Sequence, residues 1–128
     1  MNDEDSNSNT ALHLSCMNGH SRVVDTLINA GADIAARNIH LWTPLDCAAA
    51  YGQPKCAQLL INANAPLDPL DKNKTTPLHL TAQYGHEKTA KILIEKGASL
   101  SQTNSDGYNA LTIAIIHGKR YHTLTYQS

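Results

Sequence analysis

Polar and apolar positions along this chain return in the same order every 33 residues. The stretches NTALHLSCMNGH (9–20), WTPLDCAAAYGQ (42–53), TTPLHLTAQYGH (75–86) and YNALTIAIIHGK (108–119) share one outline. A Thr or Asn head falls at 10, 43, 76 and 109, and a glycine at 19, 52, 85 and 118. A fixed step of this size signals stacked copies of one supersecondary unit.

Residues 71–103 show what one copy encodes. Asp71-Lys-Asn-Lys-Thr75 is polar and turn-like. Thr76 is a helix-capping residue, and Pro77 suits the first helical position, where no N–H is needed. The pattern predicts a short helix to about Tyr84, stopped at Gly85 by the need for a positive φ. A second helix is expected from about Glu87 to Glu95, with Ile92, Leu93 and Ile94 as apolar positions and Gly97 as its stop. Asn64 holds the row of Gly31 and Gly97, and Asn also tolerates the left-handed conformation. Each unit is thus a turn plus two helices too short to persist alone, and stacking joins their apolar faces into one core. The expected fold class is all-α, a solenoid of helix-turn-helix units with short β-turn loops. Residues 1–128 read as a single domain, with repeats at about 5–37, 38–70 and 71–103 and an incomplete one at 104–128.

Composition narrows the setting. The net charge of −1 offers no basic field for nucleic acid. No apolar run is long enough to span a membrane, and the acidic start MNDEDSNSN does not resemble a signal peptide. Three cysteines, with no C-x-x-C spacing, suit a reducing compartment. The expectation is an intracellular protein, cytoplasmic with the nucleus not excluded. Six aromatics (one Trp, five Tyr, no Phe) leave the core to aliphatic residues and Ala.

The pattern resembles the ankyrin repeat. The TPLH-x-x-A signature stands as TPLHLTA (76–82), as TPLDCAA (43–49) with Asp46 for His, and as TALHLSC (10–16) with Ala11 for Pro and Cys16 for Ala. The continuation stands as GH…LINAGAD (19–33) and GH…LIEKGAS (85–99). The fourth copy departs from it: where Leu27, Leu60 and Leu93 stand the chain has Tyr126, and where Ile28, Ile61 and Ile94 stand it has Gln127. Residues 120–128 are therefore expected to dock loosely. Ile115 holds the row of Cys16, Ala49 and Ala82, and Leu111–Ile116 is a candidate face for self-association.

Catalytic readings find little room. His13 and His79 share a row two repeats apart, roughly 20 Å at the usual 8–10 Å helix spacing, too far to hold one ion. The resemblance implies that this His ties its turn to the neighbouring repeat by hydrogen bonds. No catalytic, cofactor-binding or metal-binding residue is expected, and the protein is expected not to be an enzyme. The resemblance also says which rows face the concave side: the turn tips, the residue before each TPLH-type Thr, and the two residues before each helix-ending Gly. Four of the six aromatics fall in these rows, and none falls at a core position. The candidate protein-binding residues are Ile39, His40, Trp42, Tyr51, Lys72, Asn73, Gln83, Tyr84, Asp106 and Tyr108. The implied function is a non-enzymatic module binding another protein, with no nucleic acid and no direct membrane insertion. The alternative is a cytoplasmic ankyrin segment of a larger membrane protein, since DGYNALTIAIIHGKR (106–120) is similar to the end of the array in TRPA-type cation channels.

Overall fold

The computed structural model describes residues 4–118. Among the described residues seven helices follow one another: α1 (Ala11–Met17), α2 (Ser21–Asn29), α3 (Pro44–Ala50), α4 (Pro54–Asn62), α5 (Pro77–Tyr84), α6 (Glu87–Glu95) and α7 (Ala110–Ile116). Among the described residues there is no strand. The odd-numbered helices form one layer in the order α1, α3, α5, α7, and α2, α4 and α6 form the second. This is the all-helical solenoid that the 33-residue period predicts. The expected loose docking of residues 120–128 lies outside the described residues.

Local chemistry explains why each inner helix begins where it does. The side chains of Thr10, Thr43 and Thr76 accept from the backbone N–H of His13, Asp46 and His79, and those residues accept in return from the cap N–H. This reciprocal capping satisfies two of the free amide donors at the helix start. In the fourth copy Asn109 accepts from Thr112 N–H at 2.9 Å. The stops also follow the sequence. Gly85 takes φ 79°, and Asn64, the substitute for glycine, takes φ 69°.

Gly52 is needed for space as well as for its φ of +66°. A Cβ there would collide with His86 Nδ1. That close approach lets His86 Nε2 reach the Ala50 carbonyl of the previous copy at 3.0 Å. Gln53 does the same one copy earlier, donating to the Met17 carbonyl at 3.2 Å.

The core is aliphatic and narrow. Leu12, Leu45, Leu60, Leu78 and Leu93 are fully buried, with alanines filling the contacts between copies. Cys16, Cys47 and Cys56 are buried free thiols. Burial pushes the Cys47 thiol up, and a hydrogen bond with Cys56, helped by burial, pushes the Cys16 thiol up. A thiol in such surroundings behaves as a small apolar side chain.

Candidate protein-binding surface

Ahead of each inner helix the chain forms a tight finger, at 5–9, 38–42, 71–75 and 104–108. Each is closed by two backbone bonds, as in the second, where Asn38 N–H meets the Trp42 carbonyl (3.0 Å) and Leu41 N–H meets the Asn38 carbonyl (2.9 Å). The opening Asp or Asn stiffens the finger from inside. Asp71 Oδ1 accepts from Asn73 and Thr75 N–H, both at 2.8 Å, and Asp5, Asn38 and Asn104 repeat the arrangement. The fourth position of each finger is left-handed: Ser8 (φ 60°), Leu41 (61°), Lys74 (58°) and Gly107 (81°). Only Gly107 betrays that row in the sequence, since Ser, Leu and Lys carry no such signal.

The fingers are laced to one another. Ile39 N–H donates to Asn7 O (3.0 Å), Lys72 N–H to His40 O (3.4 Å) and Ser105 N–H to Asn73 O (2.9 Å). Asn38 Nδ2 donates to Asn9 Oδ1 at 2.9 Å. Trp42 Nε1 donates to Asp71 Oδ2, also at 2.9 Å. Arg37 Nη1 spans two carbonyls, Leu41 O at 3.0 Å and Leu70 O at 2.7 Å. The row of fingers is therefore one rigid edge rather than four independent loops.

Two histidines anchor this edge to the helices. His13 Nδ1 accepts from Thr10 N–H (3.1 Å), which leaves Nε2 to donate to the Trp42 carbonyl of the next copy at 2.8 Å. His79 Nδ1 accepts from Thr76 N–H (2.9 Å), and Nε2 donates to the Gln102 carbonyl at 2.8 Å. Burial lowers the pKa of both rings and keeps them neutral donors. Their work is structural: His13 ties its turn to the next copy, as the resemblance implied, whereas His79 bonds to Gln102 at the end of its own copy.

The ten candidate residues fall into distinct settings. Ile39, His40, Lys72, Asn73 and Asp106 are exposed on the finger tips. Tyr51 (53%), Tyr84 (47%) and Tyr108 (39%) are exposed, the first two at the ends of inner helices. Gln83 is half-buried. Asn73, Gln83, Asp106 and Tyr108 meet in one hollow of about 240 Å³, where Ile113, Ile116 and His117 of the fourth copy also line the wall. Ile39, His40, Trp42, Tyr51, Lys72 and Tyr84 lie outside that hollow. Asn104 lines it without having been singled out. Asn104 had a signal, as the opening residue of its finger.

The buried core holds no aromatic among the described residues, as the sequence predicts, but Trp42 is less exposed than its row suggested. In the structure it is half-buried and packs against the core cluster. A partly buried indole needs a partner for its N–H, and the carboxylate of Asp71 is already held in place by its own finger. Its ring lies 6.3 Å from that of His40 at 57°. Trp42 thus forms the floor between fingers two and three rather than a free anchor.

A paired inner and outer helix, a rigid finger and a 33-residue step in every complete copy match one known architecture. The family model for ankyrin repeats (3 copies) matches residues 1–69 and 61–126. The chain belongs to the ankyrin-repeat family. No curated protein matches it. Ankyrin repeats are in general protein–protein interaction modules. Among the described residues, no helix of this ankyrin chain is long and apolar enough to cross a membrane, and no group of three or more His, Cys, Asp or Glu is placed to share a metal ion.

Proposed function

We propose that this chain is a non-enzymatic ankyrin module that binds one protein partner on its concave face, inside the reducing interior of the cell. The observation that carries the reading is the set of exposed tyrosines, Tyr51, Tyr84 and Tyr108, beside a finger edge that is rigid before any partner arrives. Tyrosine offers large contact area with little side-chain entropy to lose, and a preformed edge lowers the ordering cost of binding. Trp42 and Asp71 hold the floor, while Lys72, Asn73 and Asp106 supply the polar rim. The hollow at Tyr108 suits a single inserted side chain.

A photo-crosslinking residue placed at Tyr84 or Asn73 should capture the partner, and one at Lys55 or Lys88 on the outer helices should not. Once that partner is purified, Tyr84→Ala should weaken binding about tenfold or more, as truncating an aromatic anchor does. Capture from the outer helices, with affinity unchanged in Tyr84→Ala, overturns the reading. A place in a longer TRPA-type chain rests on the wording of residues 106–120. A transcript continuing past Ser128 into apolar segments of about 20 residues would support it. Self-association through α7 is a second proposed contact. Ile115 (67% exposed) and Ile116 (55%) present an apolar face, and sedimentation should show Ile115→Lys shifting any dimer to monomer.

A further inference from the structure

The row that holds His13 and His79 holds Asp46 in the second copy and Thr112 in the fourth. The carboxyl group reproduces half of the histidine pattern. Its Oδ2 accepts from Thr43 N–H at 2.8 Å and from Thr43 Oγ1 at 3.2 Å. The other half is missing. Asp46 is fully buried, and Oδ1 is one of two buried side-chain oxygens among the described residues with no hydrogen-bond partner. An orphaned oxygen on a buried charge is a costly arrangement. In the row partners that second atom is an N–H donor, given by His13 to Trp42 O of the next copy and by His79 to Gln102 O at the end of its own copy, and backbone carbonyls are acceptors only. A bare carboxylate oxygen in that place meets nothing that can donate to it.

We propose that Asp46 is a protonated carboxyl group in the folded protein, its Oδ1–H standing in for the histidine Nε2–H, and that losing this proton loosens the junction between the second and third fingers. A second observation sets this junction apart. The backbone bond that laces fingers two and three, Lys72 N–H to His40 O, is 3.4 Å, while its counterparts on either side are 3.0 and 2.9 Å. The surroundings push the same way. Burial raises the Asp46 pKa to about 7, Asp71 on the third finger adds to the rise, and the Thr43 hydrogen bonds and Arg37 oppose it. From α1 and α5 the row partners His13 and His79 stay neutral through burial. The buried titratable group of α4 is Cys56, hydrogen-bonded to Cys16, and on α3 itself Cys47 is a protonated thiol.

The sign follows from linkage. A carboxyl group at about 7 when folded, against 3.8 in the unfolded chain, takes up a proton on folding between those values. Its favourable contribution is complete below pH 4 and is lost as pH rises to 7. No partner protein enters the argument, so it stands whether or not the concave face binds one.

The test is a carbon-detected titration of the Asp46 side-chain carboxyl in labelled protein, with the folding equilibrium of Asp46→Asn measured beside wild type. Asn keeps the acceptor and offers a neutral donor. The carboxyl resonance should move with a midpoint near 7. The folding constant of Asp46→Asn relative to wild type should rise about tenfold per pH unit from pH 4 to 7, then level off. His13 and His79 are common to both proteins and cancel. The Lys72 amide should also lose protection against hydrogen exchange as pH passes 7, while Ile39 and Ser105 keep theirs. A midpoint near 4, or a relative folding constant that stays flat, overturns the proposal. Should the Asn variant fail to fold, the carboxyl titration in wild type decides alone.

Discussion

Helices α3 and α7 are built from the same local instructions and end in different circumstances. Each has seven residues, a capping side chain at its head, and a left-handed glycine two residues past its end: Gly52 at φ +66° and Gly118 at +70°. Every residue of α3 is buried, because α1, α5 and α4 pack around it. On α7 only Ala110, Ile113 and Ala114 are buried. The row Cys16, Ala49, Ala82 lies at zero exposure and its fourth member, Ile115, is 67% exposed. Local sequence specifies the helix, then, and the neighbouring copy specifies what the helix is worth. In a stack with nearest-neighbour ties, equal sequence signals carry unequal energies.

Truncation of a core leucine should separate the two helices most widely. Leu45→Ala is expected to cost about 3 kcal/mol, from lost burial and the cavity left behind. Ile115→Ala should stay within about 0.5 kcal/mol, as surface changes do. Denaturant titrations of the two variants check this, and equal losses would erase the distinction. The glycines come next. Gly52→Ala should cost about 2 kcal/mol, since a left-handed alanine is strained and its Cβ also displaces His86 from the Ala50 carbonyl. Gly118→Ala meets no atom of the described residues within 4 Å and should show the backbone strain alone, about 1 kcal/mol.

Caps should differ by less. Thr43→Ala removes a reciprocal cap in the core and is expected to cost about 1.5 kcal/mol, whereas Asn109→Ala should cost about 0.5 kcal/mol. Thermal unfolding of the pair provides the comparison. The gentlest effect is a pH response confined to the copies that carry histidine. The folded state holds His13 and His79 below the ordinary imidazole value of 6.5 through burial. Their contribution is present above pH 6.5 and is lost as pH falls through the folded values. In the Asp46→Asn background stability should therefore decline on acidification below 6.5, with both imidazole titrations displaced downward in proton spectra.

Much of this molecule was legible before any coordinates. The bounds of α5 and α6 fall where Pro77, Gly85, Glu87 and Gly97 put them, because turn, cap and stop chemistry is local. The exposed tyrosines were found by their row. Three features needed the third dimension. The left-handed row at Ser8, Leu41 and Lys74 is imposed by finger closure against residue preference. The half-burial of Trp42 depends on where Asp71 sits, 29 residues away. The missing partner of Asp46 shows only when the next copy is in place, although the Asp-for-His exchange was visible at once.

Every tie described between copies reaches one step and no further. The longest, His86 to Ala50 and Gln53 to Met17, join neighbours, and helix packing follows the same order. Pulled from its two ends, such a stack has no long-range clamp to break among the described residues. It should yield as a spring does, one copy at a time. Each copy of 33 residues releases roughly 110 Å of chain, at about 3.3 Å per extended residue. The finger edge would be shortened copy by copy under load, with the fingers still stacked keeping their shape.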